Sequence, residues 1–168
     1  MQFAKYIIYL SITAITSLLF QAQAYGADAE ACAKKVLCHT CLAKIYASQG
    51  KLPEATIEYQ ELLKLTPNDA ATHFEFASLL AHNGKPDLAA PQYKIAAKLK
   101  PNVPEYQAGL GYALMCTKSY EAAVAAYSKA CGLGGKYQDQ LQNAQQYQAQ
   151  QKLLEQYKNK MQSQQESD

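Results

Sequence analysis

Apolar and small side chains recur along this chain with a step of 34 residues. Small residues stand at Ala43, Ala77 and Gly111, and again at Ala55, Ala89 and Ala123. Large apolar residues follow the same step at Leu42, Phe76 and Leu110, and at Tyr46, Leu80 and Leu114, with an aromatic at Tyr59, Tyr93 and Tyr127. Large and small positions lie three or four residues apart, the spacing that brings side chains onto one helical face. Gly50 and Gly84 match each other, with Lys118 in the third copy, and Pro67 and Pro101 match, with Gly135 in the third. Glycine makes a left-handed turn inexpensive, and proline cannot comfortably continue a helix. The pattern predicts paired helices at about 36–49 and 53–65, 70–83 and 86–99, and 104–117 and 120–131, followed by a last helix at about 137–160. A small residue on each partner lets the two helices of a pair approach closely, and the large ones fill the space around them. Pro91 falls inside the second helix of the middle pair, near its start, where a lost hydrogen bond or slight kink is tolerable.

The first copy reads Leu42-Ala43-Lys44-Ile45-Tyr46, then Ala55, Tyr59 and Pro67, and the third reads Leu110-Gly111, then Ala123 and Tyr127. Period and motif resemble the tetratricopeptide repeat family over about 36–137. The resemblance implies an all-α fold, a right-handed superhelix of three helical hairpins at 36–69, 70–103 and 104–137. A C-terminal capping helix at 138–160 would cover the open end, as such arrays require. A lead-in at 25–35 would precede the array and a disordered tail at 161–168 would follow.

The resemblance also implies a use. In the family, the first helix of each hairpin lines the concave side. By position the groove would hold Thr40, Cys41, Lys44 and Ser48 from the first copy and Phe74, Glu75, Ser78 and His82 from the second. Tyr112, Met115 and Cys116 would come from the third. This mixed polar, aromatic and sulfur surface suits an extended or helical peptide of another protein. Some members grip acidic C-termini with basic and amide side chains; Glu75, Glu105 and Gly109 stand where those donors would be wanted, which disfavours that specialisation here.

From Gln138 onward the chain is crowded with Gln, and Tyr137, Leu141, Ala144, Gln148, Gln151 and Leu154 trace one helical face. At the other end, Lys5 is followed by the apolar run Tyr6 to Phe20 and the exit Gln21-Ala22-Gln23-Ala24. A charged start, a short apolar middle and a small-residue exit make a secretory signal at 1–24, cleaved after Ala24. The apolar run is shorter than the roughly 20 residues of a spanning helix, so no stable membrane span remains after cleavage. The expected location is the bacterial periplasm, with secretion as the alternative. Net charge is +2, every basic residue is Lys, and acids are interspersed. The basic patch and the arginines of a nucleic-acid reader are missing.

The remaining chemistry is in five cysteines. Cys38-His39-Thr40-Cys41 is the one local motif. A thioredoxin-like site would sit beside a βαβ pattern, haem attachment would need His after the second Cys where Leu42 stands, and no second Cys/His pair offers zinc-finger spacing. A structural disulfide among Cys32, Cys38 and Cys41 is expected in an oxidising compartment, with Cys32 reaching back across a loop. Cys38 and Cys41 themselves would need local distortion, because side chains three apart on a helix are about 5–6 Å apart and a disulfide wants about 3.5–4.5 Å. Cys116 and Cys131 fall at opposite ends of an antiparallel pair and are expected apart. His39 and His73 share a repeat position and read as packing residues; no Ser–His–Asp triad and no phosphate loop is present. No catalytic residue, cofactor or metal is therefore expected. The function expected is an adaptor or scaffold in the cell envelope, with a thiol-active helper in disulfide handling or cytochrome maturation, or a secreted host-acting factor, as alternatives.

Overall fold

The structure, a computed structural model, describes residues 30–165. These form α1 (30–48), α2 (Leu52–Leu65), α3 (Ala70–His82), α4 (Pro86–Leu99), α5 (Pro104–Cys116), α6 (Tyr120–Gly132) and α7 (Gln138–Gln165). No strand occurs among the described residues. Helices pair as α1/α2, α3/α4 and α5/α6, each pair packs on the next, and α7 lies against α6. The expected leader at 1–24 lies outside the described residues.

The repeated small residues are where the helices meet. Ala43, Ala77, Ala55, Ala89 and Ala123 expose none of their surface. Tyr59, Tyr93 and Tyr127 are buried beside them in two contiguous apolar clusters, one through the first two hairpins and one joining α5, α6 and α7. At Gly111 an added Cβ would stand 3.0 Å from three atoms of the Tyr127 ring. The ring has taken the space that Ala43 and Ala77 use for a methyl.

Each hairpin turns by the same device. Gly50 N–H bonds Ala47 O at 3.1 Å and Lys51 N–H bonds Tyr46 O at 2.9 Å. Gly84 and Lys85 repeat the pair with Ala81 and Leu80, and Lys118 and Ser119 with Met115 and Leu114. This is the Schellman ending, which needs a left-handed residue at its centre. Gly50 and Gly84 have φ of 70°, and Lys118 has φ of 59°. The third copy thus places a side chain where the backbone disfavours one.

A second repeated device locks the pairs. His39 Nδ1 lies 2.6 Å from Glu58 Oε2, and one repeat later His73 Nδ1 lies 2.8 Å from Gln92 Oε1. His73 Nε2 also meets the carbonyl oxygen of Pro67 at 3.0 Å, tying the second hairpin to the end of the first. Both histidines are structural ties, as their shared position suggested. Asp69 caps α3 by accepting from Ala71 N, Thr72 N and Thr72 Oγ1. Its hydrogen bond from the Thr72 side chain, foremost, holds the carboxyl below its usual range.

Three sequence expectations change. The first helix already runs at residue 30, inside the expected lead-in. The last helix continues to Gln165, so 161–165 are helical and not a tail, and 166–168 lie outside the described residues. Only Leu141 and Ala144 of α7 are buried. Leu154, expected on the same covered face, is 56% exposed and Tyr157 64%, because α7 meets α6 only as far as Tyr147, which stacks on Tyr120 at 5.5 Å, and Gln151. Pro91 is accommodated in α4 on the exposed side.

The left-handed turn sets a stability test. A non-glycine residue there is strained by about 1–2 kcal/mol, partly offset by the extra chain freedom glycine brings to the unfolded state. Lys118→Gly should therefore raise stability by several tenths of a kcal/mol to about 1 kcal/mol, and Gly84→Ala should lower it by about 1 kcal/mol. Urea unfolding followed by far-UV circular dichroism reads both; opposite signs would contradict the turn assignment.

Candidate functional site

The concave face carries a groove built on α3. Phe74, Ser78 and His82 stand four residues apart and form a ridge along that helix. On one side of it is a depression of about 520 Å³ closed by Lys44 and Ala47 of α1 and Tyr59 of α2. On the other is one of about 420 Å³ closed by α5 and by Tyr137 and Gln140 at the start of α7. The shared ridge makes the two a continuous channel across three hairpins.

Its floor is made by the tyrosines of the second helices. The Tyr59 hydroxyl donates to Glu75 Oε2 at 3.5 Å, and the Tyr93 hydroxyl to Ser78 Oγ at 3.1 Å. Burial, then the Glu75 charge and the hydrogen bond to Glu75, push the Tyr59 phenol up to about 12. Burial, with smaller contributions from Cys116 and Tyr112, does the same for Tyr127. Rings brace the ridge: Phe74 meets Tyr93 at 5.5 Å and Tyr106 at 4.9 Å between centroids. Lys44 Nζ lies 3.1 Å from Glu75 Oε1, with both side chains substantially in water, so the pair adds little stability. It does neutralise the lysine that lines this part of the groove. His82 Nδ1 lies 2.7 Å from its own helix's Ser78 carbonyl oxygen.

A family model described as "Tetratricopeptide repeat" matches residues 74–138, and one described as "TPR repeat" matches 43–84. Between them they span 43–138, more than half of the chain. The chain belongs to the tetratricopeptide repeat family. Among solved structures it is similar to the TPR2B domain of yeast Sti1 in a pHsp70 complex, at 21% identity over 70% of this chain and 98% of that one, with a TM-score of 0.60. It is also similar to the first TPR of Spaghetti (RPAP3) bound to the HSP90 peptide SRMEEVD, at 21% identity over 69% and 94%, with a TM-score of 0.64. The MamA protein matches at 22% identity, over 67% of this chain and 63% of that one, with a TM-score of 0.63. Likeness at this identity establishes the fold alone. No curated protein matches the chain in sequence.

In this tetratricopeptide array, Lys44, Phe74, Glu75, Ser78, His82 and Tyr112 line the two depressions. Thr40, Ser48 and Met115 are not among the residues around these two depressions. Thr40 Oγ1 bonds Val36 O at 2.7 Å and Ser48 Oγ bonds Ile45 O at 2.8 Å, so both hydroxyls turn back onto their own helix. Met115 packs against the core of the third hairpin. The repeat itself carried that signal, since its counterpart Ala81 is buried. Sequence reasoning missed Tyr93 and Tyr127, read as packing alone, and Tyr137 and Gln140, read as cap alone. The clue was a tyrosine where the family motif has phenylalanine: a buried hydroxyl must find a polar partner or an edge.

All five cysteines are free thiols in the structure, with Cys131 half-buried against the third-hairpin core and the other four exposed. Cys32, Cys38 and Cys41 sit on one continuous helix, so no loop lets Cys32 fold back. Six residues of helix put Cys32 about 9 Å along the axis from Cys38, beyond the roughly 7 Å a disulfide tolerates. Among the described residues no group of His, Cys, Asp and Glu is placed to hold a metal ion, and no helix is long and apolar enough to cross a membrane.

The groove floor predicts an alkaline limit. Tyr59 and Tyr127 keep their protons in the fold to about 12, whereas in the unfolded chain they ionise at the ordinary value near 10. The unfolded state therefore loses protons first. Their contribution to stability is intact below about pH 10 and is lost as pH climbs through 12. Tyrosinate absorbance should show a late-titrating class that disappears in urea, and Tyr59→Phe should remove part of it. A separate steric test lies at Gly109, where a Cβ would stand 2.5 Å from Tyr93 Cε1 and 3.1 Å from Phe74 Cε2. Gly109→Ala should destabilise by about 1–3 kcal/mol in urea unfolding, because the packed Tyr93 ring must shift to admit the methyl.

Proposed function

We propose that this protein is an exported adaptor that holds an extended or helical segment of another protein along the channel formed by α1, α3 and α5. The observation that carries the reading is the channel itself. Its ridge of Phe74, Ser78 and His82 presents an aromatic ring, a hydroxyl and an imidazole with open depressions on both sides. The tetratricopeptide fold is an interaction module, and of its structural neighbours the Sti1 domain is in a pHsp70 complex and the RPAP3 domain is bound to an HSP90 peptide. The chemistry here differs from that of an acidic-tail site. Lys44 and Glu75 are paired with each other and Glu105 lines the channel without an ion-pair partner among the described residues, so a peptide ending like SRMEEVD would find like charge at Glu105 and no free lysine. The segment at 1–24 supports export, with the bacterial periplasm as the proposed compartment and release from the cell as the alternative.

A photo-crosslinking amino acid placed at Ser78 or His82 should capture a discrete partner in living cells, whereas the same probe at Lys94 or Lys129, exposed on the second helices, should not. Equal capture at all four positions, or none at the ridge, would defeat the adaptor reading. Fusing residues 1–24 to a reporter that is active only outside the cytoplasm checks export independently: the fusion should be active, and deletion of the apolar run should silence it.

A further inference from the structure

The depression between α3, α5 and α7 has a composition that the rest of the channel lacks. Tyr93 and Tyr127 are its buried floor, and Phe74, Tyr112 and Tyr137 stand around them. Five aromatic rings therefore surround a space of about 420 Å³, and Tyr112 keeps 47% of its surface exposed to it and to solvent. The space stays open partly because Gly109 contributes no side chain; a methyl there would run into Tyr93 and Phe74. The carboxylate at this rim is Glu105, one helical turn before Gly109 on α5. None of the ion pairs among the described residues involves Glu105, and no lysine lines this depression. Its charge is felt locally, since it contributes to raising the phenols of both Tyr106 and Tyr137, behind burial as the main cause.

Ring faces carry negative potential, and a cation over them is attracted most when it is also partly desolvated. A carboxylate at the rim adds a direct counter-charge. Resting on the channel as the binding surface, we propose that this depression is an aromatic cage for a cation, a lysine, methylated lysine or arginine side chain that anchors the bound segment. The half of the channel on the other side of the ridge is less suited to a cation. There Lys44 has neutralised Glu75, so the cation is steered to the Glu105 side.

The test uses purified protein and small probes: the Nα-acetyl methylamides of lysine, trimethyllysine, arginine, norleucine and glutamate. Binding is followed by the ring resonances of Tyr112 and Tyr137. The cationic probes should bind weakly, at millimolar concentrations, and shift those resonances, with affinity falling as salt rises. Norleucine and glutamate should not. Glu105→Gln and Tyr112→Leu, both at exposed positions, should each weaken cation binding about five- to tenfold with unchanged circular dichroism and melting. Norleucine binding as well as lysine would overturn the cage and leave an ordinary apolar pocket. No shift with any cation, or an unchanged affinity in Glu105→Gln, would overturn it too. Should the ridge crosslinks still capture a partner in that event, the channel stands without the cage; should they fail while cations bind, the cage stands without the adaptor.

Discussion

The approach of two helices at a side chain no larger than a methyl governs this molecule. Ala43, Ala77 and Gly111 on one helix of each hairpin, and Ala55, Ala89 and Ala123 on the other, are buried at those crossings. Anything larger would push the pair apart and unseat the tyrosine packed beside it. Each ring that this closeness lets in removes apolar area from water worth on the order of 2 kcal/mol. The crossing geometry is thereby fixed three times over at the same step, and the uncovered sides of α1, α3 and α5 come to share one concave face. The groove is thus a consequence of the packing, because the face turned away from each hairpin's partner helix has to go somewhere.

Tyrosine where phenylalanine would pack equally well makes the core and the groove share residues. Tyr59 and Tyr93 bury their rings in the first cluster and spend their hydroxyls on Glu75 and Ser78 at the groove. A residue held at both ends has little rotamer freedom left, so the floor is preorganised and its side chains lose little further freedom when a ligand binds. The same arrangement makes the floor fragile to alkali, where an ionised phenol would be buried beside a carboxylate. Stability and recognition are carried by the same side chains and respond together.

How much of this was legible follows from which signals repeat. The crossings were readable because small residues at a fixed step have few explanations other than helix contact. The turns were readable at Gly50 and Gly84, and Lys118 shows that geometry is kept when the favoured residue is not. On the groove, Phe74, Ser78 and His82 were found because one helical face of the middle hairpin was enough to place them. Thr40 and Ser48 are counterparts of Phe74 and His82 in the first hairpin by position, yet among the described residues no helix before α1 builds a second wall there, and their hydroxyls bond their own helix. Gln140 could not be found from the period, since it belongs to a helix outside it that meets the array only after folding, and Tyr137, the last residue before that helix, is turned to the groove by the same packing. The cysteine cluster misled for a related reason: Cys32 was given a loop that the chain uses for helix.

The end of the array brings these threads together. α7 closes the solenoid with Leu141 and Ala144, and in the same first turns lends Tyr137 and Gln140 to the channel. Capping an exposed repeat face and finishing the groove are therefore one act of packing. Tyr147 in the next turn still stacks on Tyr120 of α6, and beyond Gln151 the helix continues with Leu153, Leu154, Tyr157 and Met161 exposed. A helix segment with no tertiary support is marginal in water, so its persistence here rests on the anchored turns and on the strong helix-forming tendency of its Gln, Lys and Leu residues. That places a gradient along α7: firm where it builds the aromatic-lined half of the channel, and progressively dependent on intrinsic propensity toward Gln165. Changes in the distal half should consequently leave the groove intact, whereas any change that loosens the Leu141 and Ala144 contacts acts on fold and recognition at once.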